Sequence, residues 1–200
     1  MAVTVVGLTG GLASGKSTVE RMLAEAGWVV CDADRAARAV VAPGSAGLAA
    51  LVAAFGADIL HPDGGLDRAK LREMLIQSPQ VQAQVEAILH PLIFAFEEAL
   101  IAAAAKANPD TLVVRSAPLM IEAGSHTRCH TLVVVDVDEE RAVRRAVARG
   151  MDETQARGLL ARQMGLAEKR LHADLVIDNR GGLEALRRQV EGLIARFAPD

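Results

Sequence analysis

VTVVGLTGGLASGKST, residues 3–18, is a short β-branched run that turns through glycines and leads into helix-forming sequence. Gly10, Gly15, Lys16 and Ser17 satisfy the spacing G-x-x-x-x-G-K-[ST]. A phosphate chain needs several backbone N–H groups aimed into one concavity, and small residues let the backbone approach that closely. The helix that follows adds its unpaired N–H groups and the positive end of its dipole. Gly11, Leu12, Ala13, Ser14, Gly15, Lys16, Ser17 and Thr18 are therefore the expected nucleotide-phosphate loop. Lys16 would reach the β- and γ-phosphates of ATP, and the Ser17 hydroxyl would ligate Mg²⁺.

Working outward, Ser17 to Ala26 reads as a helix with Val19, Met22, Leu23 and Ala26 on one stripe, ended by Gly27. Trp28 to Cys31 is a second short buried strand, so strand, loop, helix and strand favour a parallel sheet. It leads straight into Asp32-Ala33-Asp34. A block of helices follows, from about 35 to 108, with no credible strand. Within it Ala36 to Val41 is helical, Ser45 caps Ala46 to Phe55, and Asp67 caps a helix through Ile76. A long helical stretch then runs from Ser78-Pro79 to Lys106 and should kink or split at His90-Pro91, where proline removes a backbone donor. Three more strands are expected at Thr111–Val114, Thr131–Val137 and Ala173–Ile177. Asp138 caps a helix to Arg149, Asp152 or Thr154 starts another to about Leu166, and Leu183 to Phe197 closes the chain. Five buried strands alternating with helices make a doubly wound α/β sheet, whose ligands bind at the carboxyl ends of the strands. The phosphate loop, the Asp32/Asp34 pair, the Arg115–Pro118 turn and the loop Asp178–Gly182 all follow strands and should share that edge.

The composition is 51% hydrophobic but only 2% aromatic, so the core must be packed from aliphatic side chains. A net charge of −3 argues against nucleic-acid binding over the whole surface. Cys31 and Cys129 are too few for a disulfide framework, and Cys31 sits in an apolar run as a buried thiol. No signal-peptide pattern is read, and Ala99–Ala107 is too short to cross a bilayer. The expectation is a cytoplasmic enzyme with no membrane and no nucleic-acid partner.

Phosphoryl transfer asks for an aligned acceptor, a metal and cations around the moving group. Asp34 is the candidate that orients an acceptor hydroxyl and takes its proton. Asp32 could hold Mg²⁺ through water, or either acid could cap the helix that begins near Arg35. Arg141, Arg144, Arg145 and Arg149 lie on one helix. Arg145 and Arg149, four apart, could be brought to the phosphates by a mobile lid hinged at Gly150, or could form a solvated face paired with Glu139 and Glu140. His90 could contact substrate or be structural, and Glu122 could hold a substrate group or cap a turn.

GLTGGLASGKSTV, CDADRAARAVVAPGSAGLAALVAAFG, DGGLDRAKLR, ILHPLI, APLMIEAG and ADLVIDN, in that order over residues 5–195, resemble the dephospho-CoA kinase family. The resemblance implies an α/β, P-loop nucleotide-kinase-like three-layer fold, with a five-stranded parallel sheet, a helical substrate-domain insertion and a lid. It implies transfer of the ATP γ-phosphate to the ribose 3′-hydroxyl of dephospho-CoA, the last step of coenzyme A synthesis, with ATP and Mg²⁺. The expected nucleotide-binding core is 1–34 with 109–138 and 167–200, the CoA-accepting domain 35–108 and the lid 139–166. By position the family's catalytic aspartate falls on Asp34, its phosphate lysine on Lys16 and its lid arginines on Arg145 and Arg149. Gln163 matches a glutamine of the second lid helix, and Asn179 falls near adenine. Arg38, His90, Pro118 and Glu122 are the implied acceptor-side residues. Three departures stand out. Leu12-Ala13 replaces Ile-Gly, a change compatible with the loop if φ at Ala13 stays negative. Ser116 stands where the family usually has an acidic residue, and Met120 replaces a leucine. The competing readings are another small-molecule or nucleoside-monophosphate kinase, and a non-catalytic nucleotide switch. A guanine-specific switch would want N-K-x-D, which Asp178-Asn179-Arg180 does not supply.

Overall fold

A computed structural model describes residues 3–198. Strands β1 (Thr4–Gly10), β2 (Val29–Asp32), β3 (Leu112–Ser116), β4 (Thr131–Asp136) and β5 (Leu175–Asp178) pair in parallel in the order β2-β3-β1-β4-β5. Leu8 of β1 is level with Ser116 of β3, which in turn is level with Asp32 of β2. Asp136 of β4 is level with Asp178 of β5. The expected strands are all present; β2, β3 and β5 run one or two residues further than expected, to Asp32, Ser116 and Asp178, and β4 stops one residue earlier, at Asp136.

The chain packs as two compact units, one formed by residues up to Asp32 with those from Ala103 onward, the other by 33–102. In the first, alternation along β4 feeds two layers. Val133 and Val135 join Val6, Leu8 and Val114 against α1 (Lys16–Glu25) and α9 (Leu183–Arg196) through Val19, Leu23, Leu186 and Val190. Leu132 and Val134 face the other way, onto Met120 and Ile121. Parallel strands buried on both faces explain why they read as continuous Val/Leu runs. Helices α6 (Glu139–Ala148), α7 (Glu153–Leu160) and α8 (Leu166–His172) complete this unit. Asp138 and Asp152 cap α6 and α7 by accepting the N–H of Arg141 and Gln155.

The second unit holds α2 (Ala33–Ala39), α3 (Ala46–Phe55), α4 (Arg68–Gln77) and most of α5 (Pro79–Ala107). Its own core is Val41, Leu51, Ile59, Leu71 and Val85. Ser45 and Asp67 cap α3 and α4 as the sequence predicts. Among the described residues of this block the only β pairing is an isolated bridge between Leu60 and Leu66.

Several expectations are corrected. α5 is one helix of 29 residues with Pro91 inside it, so of the two outcomes expected at His90-Pro91 the split does not occur. One lost N–H bond does not end a helix whose neighbouring turns continue. At that length α5 is long and apolar enough, by composition, to cross a bilayer, which the run from Ala99 to Ala107 alone is not. α2 begins three residues earlier than expected, directly after β2. The helix expected to run to Leu166 stops at Leu160, and a separate helix starts at Leu166. The reason lies between them, where Gln163 and the Met164 N–H turn away to bond Leu12 and Glu122.

Ala13 is the sharpest departure. Its φ is +51°, and among the described residues it alone is a non-glycine residue with positive φ. The condition of a negative φ is not met, because the loop must reverse there to aim its amides inward. The left-handed region costs an L-residue roughly 1–2 kcal/mol, offset by the extra freedom glycine would have when unfolded. Ala13→Gly should therefore stabilise the protein by about 0.5–1 kcal/mol, a rise in Tm of about 2 °C for a chain of this size. A differential scanning calorimetry trace with an unchanged or lower Tm would contradict the strain.

Candidate active site

The loop between β1 and α1 is shaped by two close approaches. A Cβ at Gly10 would lie 2.8 Å from the Val135 carbonyl oxygen. Gly15 has φ +98° and opens α1, and a Cβ there would lie 2.0 Å from Asn179 Nδ2. Only glycine fits either place. Behind the loop, Lys16 Nζ donates to Glu20 Oε1 at 2.7 Å and to Ser116 Oγ at 2.8 Å, and the Ser116 hydroxyl donates to Glu20 Oε1. Lys16 and Glu20 side chains are 13% and 12% exposed, and Ser116 is fully buried.

Turning the loop's N–H groups inward turns the Ser14 carbonyl out of the cradle. Two side chains meet it. Asn179, buried at the end of β5, donates from Nδ2 at 2.6 Å, and Arg145 of α6 donates from Nη1 at 3.5 Å while its Nη2 holds the Asn179 carbonyl at 2.9 Å. Arg145 thus stands at the phosphate loop. Arg149, the C-cap of α6, is exposed, and Arg141 is paired with Asp138 at 2.5 Å. Of the four arginines, the described contacts bring Arg145 alone to the loop.

The segment after α7 closes over the loop from the other side. The Leu12 N–H donates to Gln163 Oε1 at 3.0 Å. Beside it lies a cavity of about 370 Å³ bordered by Gly11, Val137, Leu160, Leu166 and Arg170. Lys169 is wholly buried. Its ammonium donates to the Pro118 carbonyl at 2.7 Å and to both oxygens of Glu122, which also accepts the Met164 N–H. Pro118 O takes a further bond from Thr9 Oγ1. Partial burial pushes the Glu122 carboxyl up, but the bonds from Lys169 and Met164 outweigh it and hold it below its ordinary value. Arg170 pairs with Asp136, 1% exposed at the end of β4. Asp178 is lowered to about 2 by hydrogen bonds from the Arg180 guanidinium and backbone.

The predicted residues therefore divide. Gly11 to Thr18, Asn179, Arg145, Pro118, Glu122 and Asp32 lie in the sheet unit, and Asp32 is level with Ser116. Asp34, two residues further, is exposed in the first turn of α2. Arg38 is exposed in its last turn, and His90 stacks at 6.2 Å on Phe94 in α5, all three in the helical unit. Sequence reasoning missed Glu20, whose spacing of four from Lys16 was the available clue, and Lys169, a lysine on an ordinary-looking helix for which there was none. Among the described residues no group of three or more His, Cys, Asp or Glu is built as a metal cage. The side-chain oxygens at this end of the sheet unit are those of Ser17, Glu20, Asp32 and Ser116, with Glu20 and Ser116 bonded to each other and Asp32 level with Ser116.

A glycine-shaped amide cradle on the central strand of a parallel sheet, backed by a lysine and faced by a helix arginine, defines a P-loop phosphotransferase. The family model described as Dephospho-CoA kinase matches residues 4–185. The chain is 45% identical over 196 residues to Dephospho-CoA kinase of Syntrophotalea carbinolica, covering 98% of this chain and 92% of that one. It is 49% identical over 187 residues to that of Streptomyces avermitilis, covering 92% and 89%. Its fold superposes on the crystal structure of TT1252 from Thermus thermophilus with a TM-score of 0.85 at 29% identity over all of both chains. It also superposes on Dephospho-CoA kinase from Campylobacter jejuni, at 0.66 and 20% identity over 98% and 97%. The chain belongs to the dephospho-CoA kinase family.

Two outcomes follow from the Lys169–Glu122 pair, whose lysine is buried and whose carboxylate is partly exposed. Lys169→Met removes charged hydrogen bonds to Pro118 and Glu122, a loss of about 1.5–3 kcal/mol, so Tm should fall by about 3–12 °C. Glu122 carries a depressed pKa, so its stabilisation is present above about pH 4.5 and is lost as pH falls through the lower folded value. Thermal melts between pH 7 and 3 should show a steeper acid loss in the native protein than in Lys169→Met, and parallel curves would refute the pairing.

Proposed function

We propose that this chain transfers the γ-phosphoryl group of ATP to the ribose 3′-hydroxyl of dephospho-CoA, giving coenzyme A and ADP. The observation that carries this reading is the reach of the family match. Residues 4–185 include the phosphate loop and the whole of the helical unit, so the segment suited to an acceptor is matched together with the ATP loop. We read 1–34, 109–138 and 167–200 as the nucleotide-binding core, 35–108 as the CoA-accepting domain and 139–166 as the lid, acting in the cytoplasm.

The amides of residues 11–18 cradle the ATP phosphates, and Lys16 leaves Glu20 to sit against the β- and γ-phosphates. Ser17 and Asp32 would hold Mg²⁺ with the phosphates, and the metal when bound would supply neutralisation of developing charge. Asp34 accepts the proton of the 3′-hydroxyl as its oxygen bonds the γ-phosphorus. The bond from that phosphorus to the β–γ bridging oxygen breaks, and ADP leaves with the electron pair. Arg145, and Arg149 after lid movement, offer planar donors to the transferring group. Asn179 sets the loop beside the adenine. We assign Arg38, His90, Pro118 and Glu122 to acceptor binding, Pro118 and Glu122 being joined through Lys169.

A coupled ADP-release assay across dephospho-CoA, adenosine, AMP and shikimate should show turnover with dephospho-CoA far above the rest, and preference for another acceptor would overturn the assignment. Asp34→Asn should keep ATP affinity and lower kcat by about 10²-fold or more, the range for loss of general-base catalysis. Unchanged turnover would remove Asp34 from the chemistry. Lys16→Ala should lower kcat by about 10²–10³-fold, as for other donors aimed at developing charge.

A further inference from the structure

The carboxylate of Glu20 only releases Lys16 in the mechanism above, yet it is the acid bonded to that lysine and is nearly enclosed. Its setting is unlike that of an ordinary helix pair. Arg21 and Glu25 have the same spacing on the same helix, but their side chains are 60% and 56% exposed, and such pairs contribute only a few tenths of a kcal/mol. Lys16 and Glu20 are almost enclosed, which costs desolvation and makes stability a poor reason for the pair. Glu20 is also tied to Ser116, 96 residues away at the end of β3.

That position has a chemical meaning in P-loop phosphotransferases. The metal is held by the loop Ser/Thr and by an acid on a neighbouring strand. Of the two neighbours of β1, β4 ends in Asp136, which Arg170 holds, and β3 ends in a serine. Glu20 reaches the same point from α1 and bonds the serine hydroxyl. Asp32 of β2 is level with that serine. When Lys16 moves to the phosphates, the carboxylate of Glu20 loses the ammonium it holds, beside the loop that would carry the ATP-bound dication.

We propose that Glu20 supplies the acid that β3 lacks. It is a positioning residue for the magnesium of MgATP, receiving the metal's water shell together with the Ser116 hydroxyl and exchanging Lys16 for it when nucleotide arrives. This rests on the reading of residues 11–18 as an ATP site.

The test uses Glu20→Gln, which keeps the side chain's shape, and the double variant Glu20→Ala/Ser116→Asp, which returns an acid to β3. Mn²⁺ binding to the enzyme–ATP complex is followed by electron paramagnetic resonance, and ATP binding in EDTA by calorimetry. Glu20→Gln should weaken Mn²⁺ binding about 10-fold, the lower end for outer-shell partners of a metal, and leave metal-free ATP binding equal or tighter. The double variant should regain most of the Mn²⁺ affinity. Ser116→Ala, with Glu20 intact, should weaken Mn²⁺ in the same sense and serves if Glu20→Gln folds poorly. Unchanged Mn²⁺ affinity in Glu20→Gln or Ser116→Ala, an equal loss of ATP with and without metal, or no recovery in the double variant would each overturn the role. A native protein that binds no ATP under either condition would instead sink the ATP-site reading itself.

Discussion

The outward-turned carbonyl of Ser14 is the constraint on which the sheet unit is organised. A loop that aims its N–H groups at an anion must aim carbonyls away from it, and a buried carbonyl must be paired. Asn179 and Arg145 pair this one, and Arg145 also holds the Asn179 backbone. The end of β5 and the middle of α6 are thereby keyed to the β1–α1 turn. Gly15 is required by the same geometry, because a Cβ there would occupy the place of the Asn179 amide.

A second pattern runs along the carboxyl edge of the sheet. β2, β4 and β5 end in Asp32, Asp136 and Asp178, and helices or loops bring cations to the edge. Arg170 meets Asp136, Arg180 meets Asp178, and Lys16 meets Glu20 beside Ser116. Lys169 reaches the turn after β3 and joins Pro118 to Glu122. A net charge of −3 conceals this edge, where cations from α1, α6 and α8 gather and Arg145 alone of those named is held by carbonyls and not by an acid.

Much of this was legible in the chain. The phosphate loop is local, since its glycines, lysine and serine act through backbone within a few residues. The strands were found because both-face burial demands unbroken β-branched runs, and the caps at Ser45, Asp67 and Asp138 because a side-chain oxygen three residues before an N–H is a local event. The condition of a negative φ at Ala13 is not met because the reversal of the loop overrides what its side chain prefers. Pro91 misled for a similar reason, its penalty being smaller than the continuity of the helix around it. The break between α7 and α8 was hidden because Gln163 and Met164 are held by partners about 150 and 42 residues away.

By itself the sequence determined the parallel α/β sheet, the nucleotide loop and the family to which they belong, because these depend on periodicity, short-range spacing and ordered motifs. The tertiary structure decided which arginine meets the loop, that Asn179 serves Ser14 through its side chain, and that Glu20 and Ser116 form one group with Lys16. Those pairings join residues up to 165 positions apart, and only the stacking of parallel strands, which sets distant loops side by side on one edge, brings them within reach of a hydrogen bond.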